Sequence, residues 1–145
     1  GNDANRSLAL RLLLDALPPG PQYVSLQNAV RPADAEVLRT RSDVMDFAPL
    51  LTDMAETAAL CDCMDLVISV DTSVAHLAGA LGKPVWLLLP FSADWRWLVE
   101  RETTPWYEHM TLLRQPAAGD WAAVLGKLAA RLQTRYPCSN SPAST

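Results

Sequence analysis

The chain has 145 residues, half of them hydrophobic, with 12 Lys and Arg against 16 Asp and Glu and a formal charge of -4 at pH 7. That length gives one globular domain a sizeable core and is too short for two. The acidic balance supplies no field for a nucleic-acid backbone, no run of Lys or Arg marks an anionic membrane surface, and no apolar stretch reaches the roughly 18 to 20 residues that span a bilayer.

In chain order, Leu8 to Leu17 carries Leu and Ala at helical spacing, with Asn5 or Ser7 available as a cap and Pro18-Pro19-Gly20-Pro21 as a stop. Tyr23 to Gln27 reads as a first strand. Arg31 to Arg39 reads as a short amphipathic helix with Pro32 in its first turn, and Val44 to Phe47 as a second strand. Asp53-Met54-Ala55-Glu56 resembles a capping box opening a helix to about Met64. Leu66 to Val70 is apolar, β-branched and too short for a helix, which predicts a third strand. Val74, Leu77, Ala78 and Leu81 then follow the helical period from Ser73 to Leu81. Gly82-Lys83-Pro84 stops that helix. Val85 to Leu89 predicts strand four, Asp94 to Arg101 a short helix, Thr111 to Arg114 strand five, and Trp121 to Gln133 a closing helix. A Pro- and Ser-rich tail, 137–145, is expected to be disordered. The alternation predicts one α/β domain over 1–136, a Rossmann-like parallel sheet of about five strands flanked by helices.

The three cysteines are an odd count, and Cys61 and Cys63 face different ways on a predicted helix. Buried or half-buried thiols fit better than a disulfide framework or a metal knuckle. Residues 1–20 lack the basic-then-apolar order of a signal peptide, so the expected location is the cytoplasm.

The polar side chains Asp71, Thr72, Ser73 and His76 cluster where strand three runs into its helix, the place where open α/β sheets bind ligands. The first N–H groups of a helix have no intrahelical partner, and the helix dipole adds positive charge there, so a phosphate satisfies both. The Thr72 and Ser73 hydroxyls can donate to the same oxygens, and His76, four residues after Thr72, shares its helical face. Asp71 would repel a phosphate; it either accepts backbone N–H bonds that shape the turn or binds a sugar hydroxyl. The plainer alternative is that Asp71 or Thr72 caps the helix and His76 is a satisfied, half-buried histidine. Gly79-Ala80-Leu81-Gly82-Lys83-Pro84 lacks the spacing and the Ser or Thr of a P-loop, and no Gly-x-Gly-x-x-Gly follows any strand.

Asp71-Thr72-Ser73-Val74-Ala75-His76-Leu77-Ala78-Gly79-Ala80-Leu81-Gly82-Lys83-Pro84 resembles the nucleotide-sugar motif of the heptosyltransferase-like glycosyltransferases (glycosyltransferase family 9), in the branch at the C-terminal end of tetratricopeptide-repeat proteins. Asp53 to Leu60, Leu88 to Leu98, Pro105-Trp106-Tyr107 and Leu113 to Pro116 are similar to further segments of that branch, and the likeness covers about residues 5 to 133. It implies the C-terminal half of a two-domain GT-B enzyme, the half that holds a nucleotide diphosphate-sugar, with inverting transfer to an unknown acceptor. The catalytic base is expected in an absent N-terminal half, so no catalytic residue is named and the isolated domain is expected to be inactive. Neither cofactor nor metal is implied.

Carried over by position, Thr72 and Ser73 would meet the diphosphate, Asp71 would orient the turn or the sugar, and His76 would approach phosphate or sugar. Arg6, near the start, would add positive charge to the diphosphate, although Ala4 stands where the family often has Arg and the upstream segment with its usual Lys is absent. Gln27 would reach the nucleotide, and Phe47 would either pack near a base or join the core. Trp95 and Trp97 offer apolar faces to a sugar ring and Arg96 a fork donor, with an aromatic lid or a docking surface for the other half as the competing reading. Trp106 and Tyr107 are expected to pack. The rivals are a non-catalytic nucleotide-binding or protein-interaction module and a nucleotide-sugar epimerase of the same architecture. Expected partners are the donor, the N-terminal half and tetratricopeptide repeats, with self-association through exposed apolar surface.

Overall fold

The computed structural model describes residues 8–138. Its elements are α1 (Leu10–Ala16), β1 (Tyr23–Ser25), α2 (Pro32–Thr40), β2 (Val44–Asp46), a 3-10 turn (Ala48–Leu50), α3 (Met54–Asp62), β3 (Val67–Val70), α4 (Ser73–Ala80), β4 (Val85–Leu89), a second 3-10 turn (Trp95–Trp97), β5 (Met110–Arg114) and α5 (Trp121–Arg135). All five expected strands are present and every pairing between them is parallel.

They divide into two sheets. β1 pairs with β2, and β3, β4 and β5 form a separate sheet with β4 in the middle. β1 and β2 are three residues each, and Met45 and Asp46 are exposed, so few ladder bonds and little buried surface tie this pair. Leu26, just after β1, nonetheless packs against the core of the larger sheet.

β4 explains why that larger sheet exists. Its five residues, Val85-Trp86-Leu87-Leu88-Leu89, are all buried, the continuous apolar run of a central parallel strand covered on both faces. Val85, Leu87 and Leu89 point to one side, into a cluster with Cys61, Ala75, Ala78, Met110 and Leu112. Trp86 and Leu88 point to the other, into a cluster with Leu113, Val124, Leu128 and Leu132. The period of two along the strand therefore assigns α3 and α4 to one face and α1 and α5 to the other. Each fully buried Leu or Val contributes roughly 1.5–3 kcal/mol.

The helix ends follow their local chemistry. Asp53 caps α3 by accepting from the Glu56 N–H at 2.8 Å. Asp120 caps α5 by accepting from the Ala123 N–H at 3.1 Å. After α4 the Lys83 N–H reaches the Ala78 carbonyl at 3.1 Å and the Gly82 N–H the Gly79 carbonyl at 3.0 Å, with Gly82 at φ +74°. This paired closure needs the left-handed backbone that glycine adopts without a Cβ penalty. At α1 the expected caps Asn5 and Ser7 lie outside the described residues.

The expected helix from Asp94 to Arg101 is only the 3-10 turn Trp95–Trp97. Asp94 accepts from the Arg96 N–H at 3.1 Å and starts it, but Leu98, with φ 58° and ψ -165°, cannot continue it. That backbone region is occupied almost only by glycine and costs on the order of 1–3 kcal/mol for another residue. Arg114 compensates: its guanidinium donates to the Trp97 carbonyl, and its Nε–H donates to the Arg101 carbonyl at 3.3 Å. Burial pushes the Arg114 pKa below its ordinary value, yet an arginine stays cationic.

Cys61 is buried, with its thiol pKa raised by that burial, and Cys63 is exposed. Of the expected tail, Pro137 and Cys138 are described, and the Cys138 thiol donates to the Pro19 carbonyl at 3.0 Å; residues 139–145 lie outside the described ones. Among the described residues, no helix is long and apolar enough to cross a membrane.

Candidate functional site

Because β3 and β4 are parallel and adjacent, with Val70 opposite Leu88, their C-terminal ends open on the same edge. The loop from β3 into α4 carries Asp71 and Thr72, and the loop after β4 carries Phe91 to Asp94. Between them lies a cavity of about 80 Å³, walled by Val70, Leu88, Leu89, Pro90 and Ala93 and bordered by the carboxylates of Asp71 and Asp94. Ligand pockets are typically several hundred Å³, so this cavity is too small to enclose a nucleotide-sized ligand.

Asp71 does not cap α4. Its Oδ2 accepts from the Trp97 Nε1–H at 2.9 Å, and its Oδ1 is 3.3 Å from His76 Nε2. Thr72 occupies the cap position without a side-chain cap bond; its hydroxyl instead lies 3.1 Å from the Ser69 hydroxyl. The start of α4 is thus not filled by a side chain, unlike the starts of α3 and α5. Ser73 is exposed beside it.

His76 is half-buried with both ring nitrogens engaged, since Nδ1 is 3.0 Å from the Tyr107 hydroxyl. Its ring stacks on Trp97 with centroids 5.4 Å apart and planes at 25°, and Tyr107 meets its edge at 5.9 Å. The structure therefore brings Asp71 and His76 together as a pair and leaves Thr72 and Ser73 at the open helix start.

Trp97 cannot stack on a sugar. It is 0% exposed and belongs to the core, because the turn that starts at Asp94 drives it inward under α4. The sequence reading of Trp97 as an apolar sugar platform is corrected accordingly. Trp95, two residues earlier on the turn, is 79% exposed. Arg96 is exposed and donates its Nε–H to Asp94 Oδ1 at 3.1 Å. Trp106 donates its indole N–H to the Arg96 carbonyl at 2.8 Å. Gln27 is exposed after β1 and Phe47 half-buried after β2. Arg6 lies outside the described residues.

Three residues of the neighbourhood escaped sequence reasoning in their roles: Tyr107 as the partner of His76, Trp97 as the donor to Asp71, and Arg114 as the clamp on the turn. All three sit between 97 and 114, remote in sequence from the β3–α4 joint. The one local signal was the small residue Gly79 on the same helix as His76, whose open face the Tyr107 ring occupies.

Parallel strands flanked by helices, with a polar cluster where a strand's C-terminal end enters a helix, define a Rossmann-like α/β domain, consistent with one half of a GT-B glycosyltransferase. Residues 27–90, which run from the end of β1 through α4 to the exit of β4, match glycosyltransferase family 9 (heptosyltransferase), which supports a glycosyltransferase domain. The chain is also 30% identical over 119 residues to Protein FlbA of Caulobacter vibrioides, an alignment covering 79% of this chain and 20% of that protein. It thus spans about a fifth of the length of this curated relative. No solved structure matches.

Proposed function

We propose that this domain holds the nucleotide diphosphate-sugar donor of a glycosyltransferase. The observation that carries the reading is the division of labour at the β3–α4 joint. The Trp97 and His76 bonds draw the Asp71 carboxylate aside, so the uncapped first turn of α4 is left to an anion. The diphosphate would take the N–H groups of that turn and the Ser73 hydroxyl, together with the Thr72 hydroxyl once it turns away from Ser69. The sugar would lie toward Asp71, whose carboxylate keeps spare lone pairs for hydroxyls, and beside His76, with Trp95 and Arg96 at the rim, Gln27 toward the nucleotide and Arg6 adding charge to the diphosphate.

In transfer with inversion, a base removes the acceptor proton, the acceptor oxygen forms the new bond to the anomeric carbon, and the nucleoside diphosphate leaves with the bonding electrons. The helix start would stabilise that leaving charge, as preorganised dipoles do. The base belongs to a second domain across the open edge, and tetratricopeptide repeats and a cytoplasmic setting complete the reading. A non-catalytic interaction module is the alternative. It is favoured by one observation, the exposed apolar side chains Phe91, Trp95, Val99 and Trp106 around the same edge.

Calorimetric titration with UDP, ADP and GDP and then their sugar conjugates tests the reading. Binding that prefers one base, and that Thr72→Ala weakens about fivefold through one lost hydrogen bond, is expected. No heat with any of them at millimolar concentration, in the protein joined to its catalytic half, would leave the interaction module.

A further inference from the structure

The Asp71–His76 pair is held from two sides by residues outside the segment that carries it. Trp97 donates to Asp71 Oδ2 at 2.9 Å, and the Tyr107 hydroxyl lies 3.0 Å from His76 Nδ1. A carboxylate only accepts, so the contact between Asp71 Oδ1 and His76 Nε2 places a proton on Nε2. When the ring is neutral, Nδ1 is then an acceptor and the Tyr107 O–H is its donor.

The geometry points to Tyr107 as the positioning residue of the joint. Its hydroxyl anchors His76 with Nε2–H toward Asp71, and His76 with Trp97 thereby keeps the carboxylate turned away from the first turn of α4. The inference rests on the reading of that turn as the diphosphate site, where a loose carboxylate would repel the ligand.

Gly79 supplies an independent observation. It follows His76 by three residues, on the same face of α4. A Cβ there would lie 2.8 Å from Cγ and Cδ1 of Tyr107 and 3.1 Å from the Met110 terminal methyl, and real Cβ contacts essentially never fall under 3.0 Å. The gap in the helix surface is the seat of the Tyr107 ring, and a side chain in it forces the ring or the helix to shift, which strains the hydroxyl contact with Nδ1. A tyrosine that only filled space would not need its hydroxyl, which separates the two roles experimentally.

The chain has two histidines, and His109 is exposed, so it serves as an internal reference. With ¹⁵N-labelled histidine, at a pH where the ring is neutral, wild-type His76 is expected in the Nε2–H form alone, its carbon-bound protons displaced upfield by the Trp97 stack. Tyr107→Phe keeps the ring and removes the hydroxyl. It is expected to give a mixture of His76 tautomers with part of the upfield displacement lost, His109 unchanged, and affinity for the preferred nucleotide-sugar about fivefold weaker. Gly79→Ala is expected to reproduce the spectrum of Tyr107→Phe. An unchanged His76 spectrum in folded Tyr107→Phe overturns the assignment and leaves Tyr107 as packing. A changed spectrum with unchanged affinity upholds the positioning role and removes the diphosphate reading of the joint, so the two failures are told apart.

Discussion

Trp97→Ala is expected to lower the unfolding free energy by about 3–5 kcal/mol, the range for truncating a fully buried aromatic residue. The indole is completely enclosed beside Cys61, Ala75, Ala78 and Leu89, where these small neighbours and a strand at the centre of the sheet cannot collapse into the space. Two polar bonds are disturbed as well. The Nε1–H to Asp71 is lost, and the Arg114 clamp on the Trp97 carbonyl holds a turn whose side-chain anchor is gone. Leu98 then keeps its unfavourable backbone without the packing that offset it. Thermal and urea unfolding would read this as a midpoint lower by roughly 10 °C or more. Trp97→Phe, which keeps an aromatic ring, should lose much less. A midpoint within a degree of wild type for Trp97→Ala would mean that the turn does not insert its indole into the core.

Asp71→Asn is expected to weaken binding of the sugar conjugate about 10- to 100-fold, the scale of hydrogen bonds to a charged group, while affinity for the nucleoside diphosphate alone changes by less than about threefold. The carboxylate accepts from two donors, Trp97 Nε1–H and His76 Nε2–H. An amide of the same shape offers one oxygen and one NH2, so one donor is left facing another donor. The sugar loses its acceptor, whereas the first turn of α4 and the hydroxyls of Thr72 and Ser73 are untouched. Calorimetry with both ligands separates the cases. An equal loss for the two would place Asp71 in the shaping of the turn, the role that backbone bonds to its side chain would have given it.

What the sequence made legible was local. The apolar run Val85–Leu89, the Asp53 cap, the Gly82 stop and the joint at Asp71–Ser73 each follow from a few neighbouring residues, and each appears as a feature of the structure. The division into two sheets was not legible. Whether β1 pairs beside β3 or only with β2 is decided by contacts between residues far apart, and nothing within Tyr23–Ser25 encodes it. The segment from Asp94 to Tyr107 misled for a related reason. Its aromatic residues and Arg96 suggested a short helix with ring faces at the rim, but Leu98 turns the backbone and the core takes Trp97, leaving Trp95 outside. Tyr107 looked like packing because its hydroxyl partner, His76, is 31 residues away.

The exposed edge ties these findings to function. Glu102, after the turn, has its carboxyl held below the usual carboxylate range by Lys127 and Arg131, so the far side of the β4–β5 connection is pinned to α5. Its near side presents Phe91, Trp95, Val99 and Trp106 to solvent beside a cavity too small for a nucleotide-sugar. The proposed donor site would be completed from across that edge.

The most direct test is to follow the backbone amides by ¹⁵N–¹H correlation while the preferred nucleotide-sugar is added. The account predicts that Ser73 and Val74, in the uncapped first turn of α4, shift most, with Asp71 and Thr72 beside them, while Trp121 to Ala123 at the Asp120-capped start of α5 stay in place. Saturable binding whose shifts avoid the β3–α4 joint would contradict it.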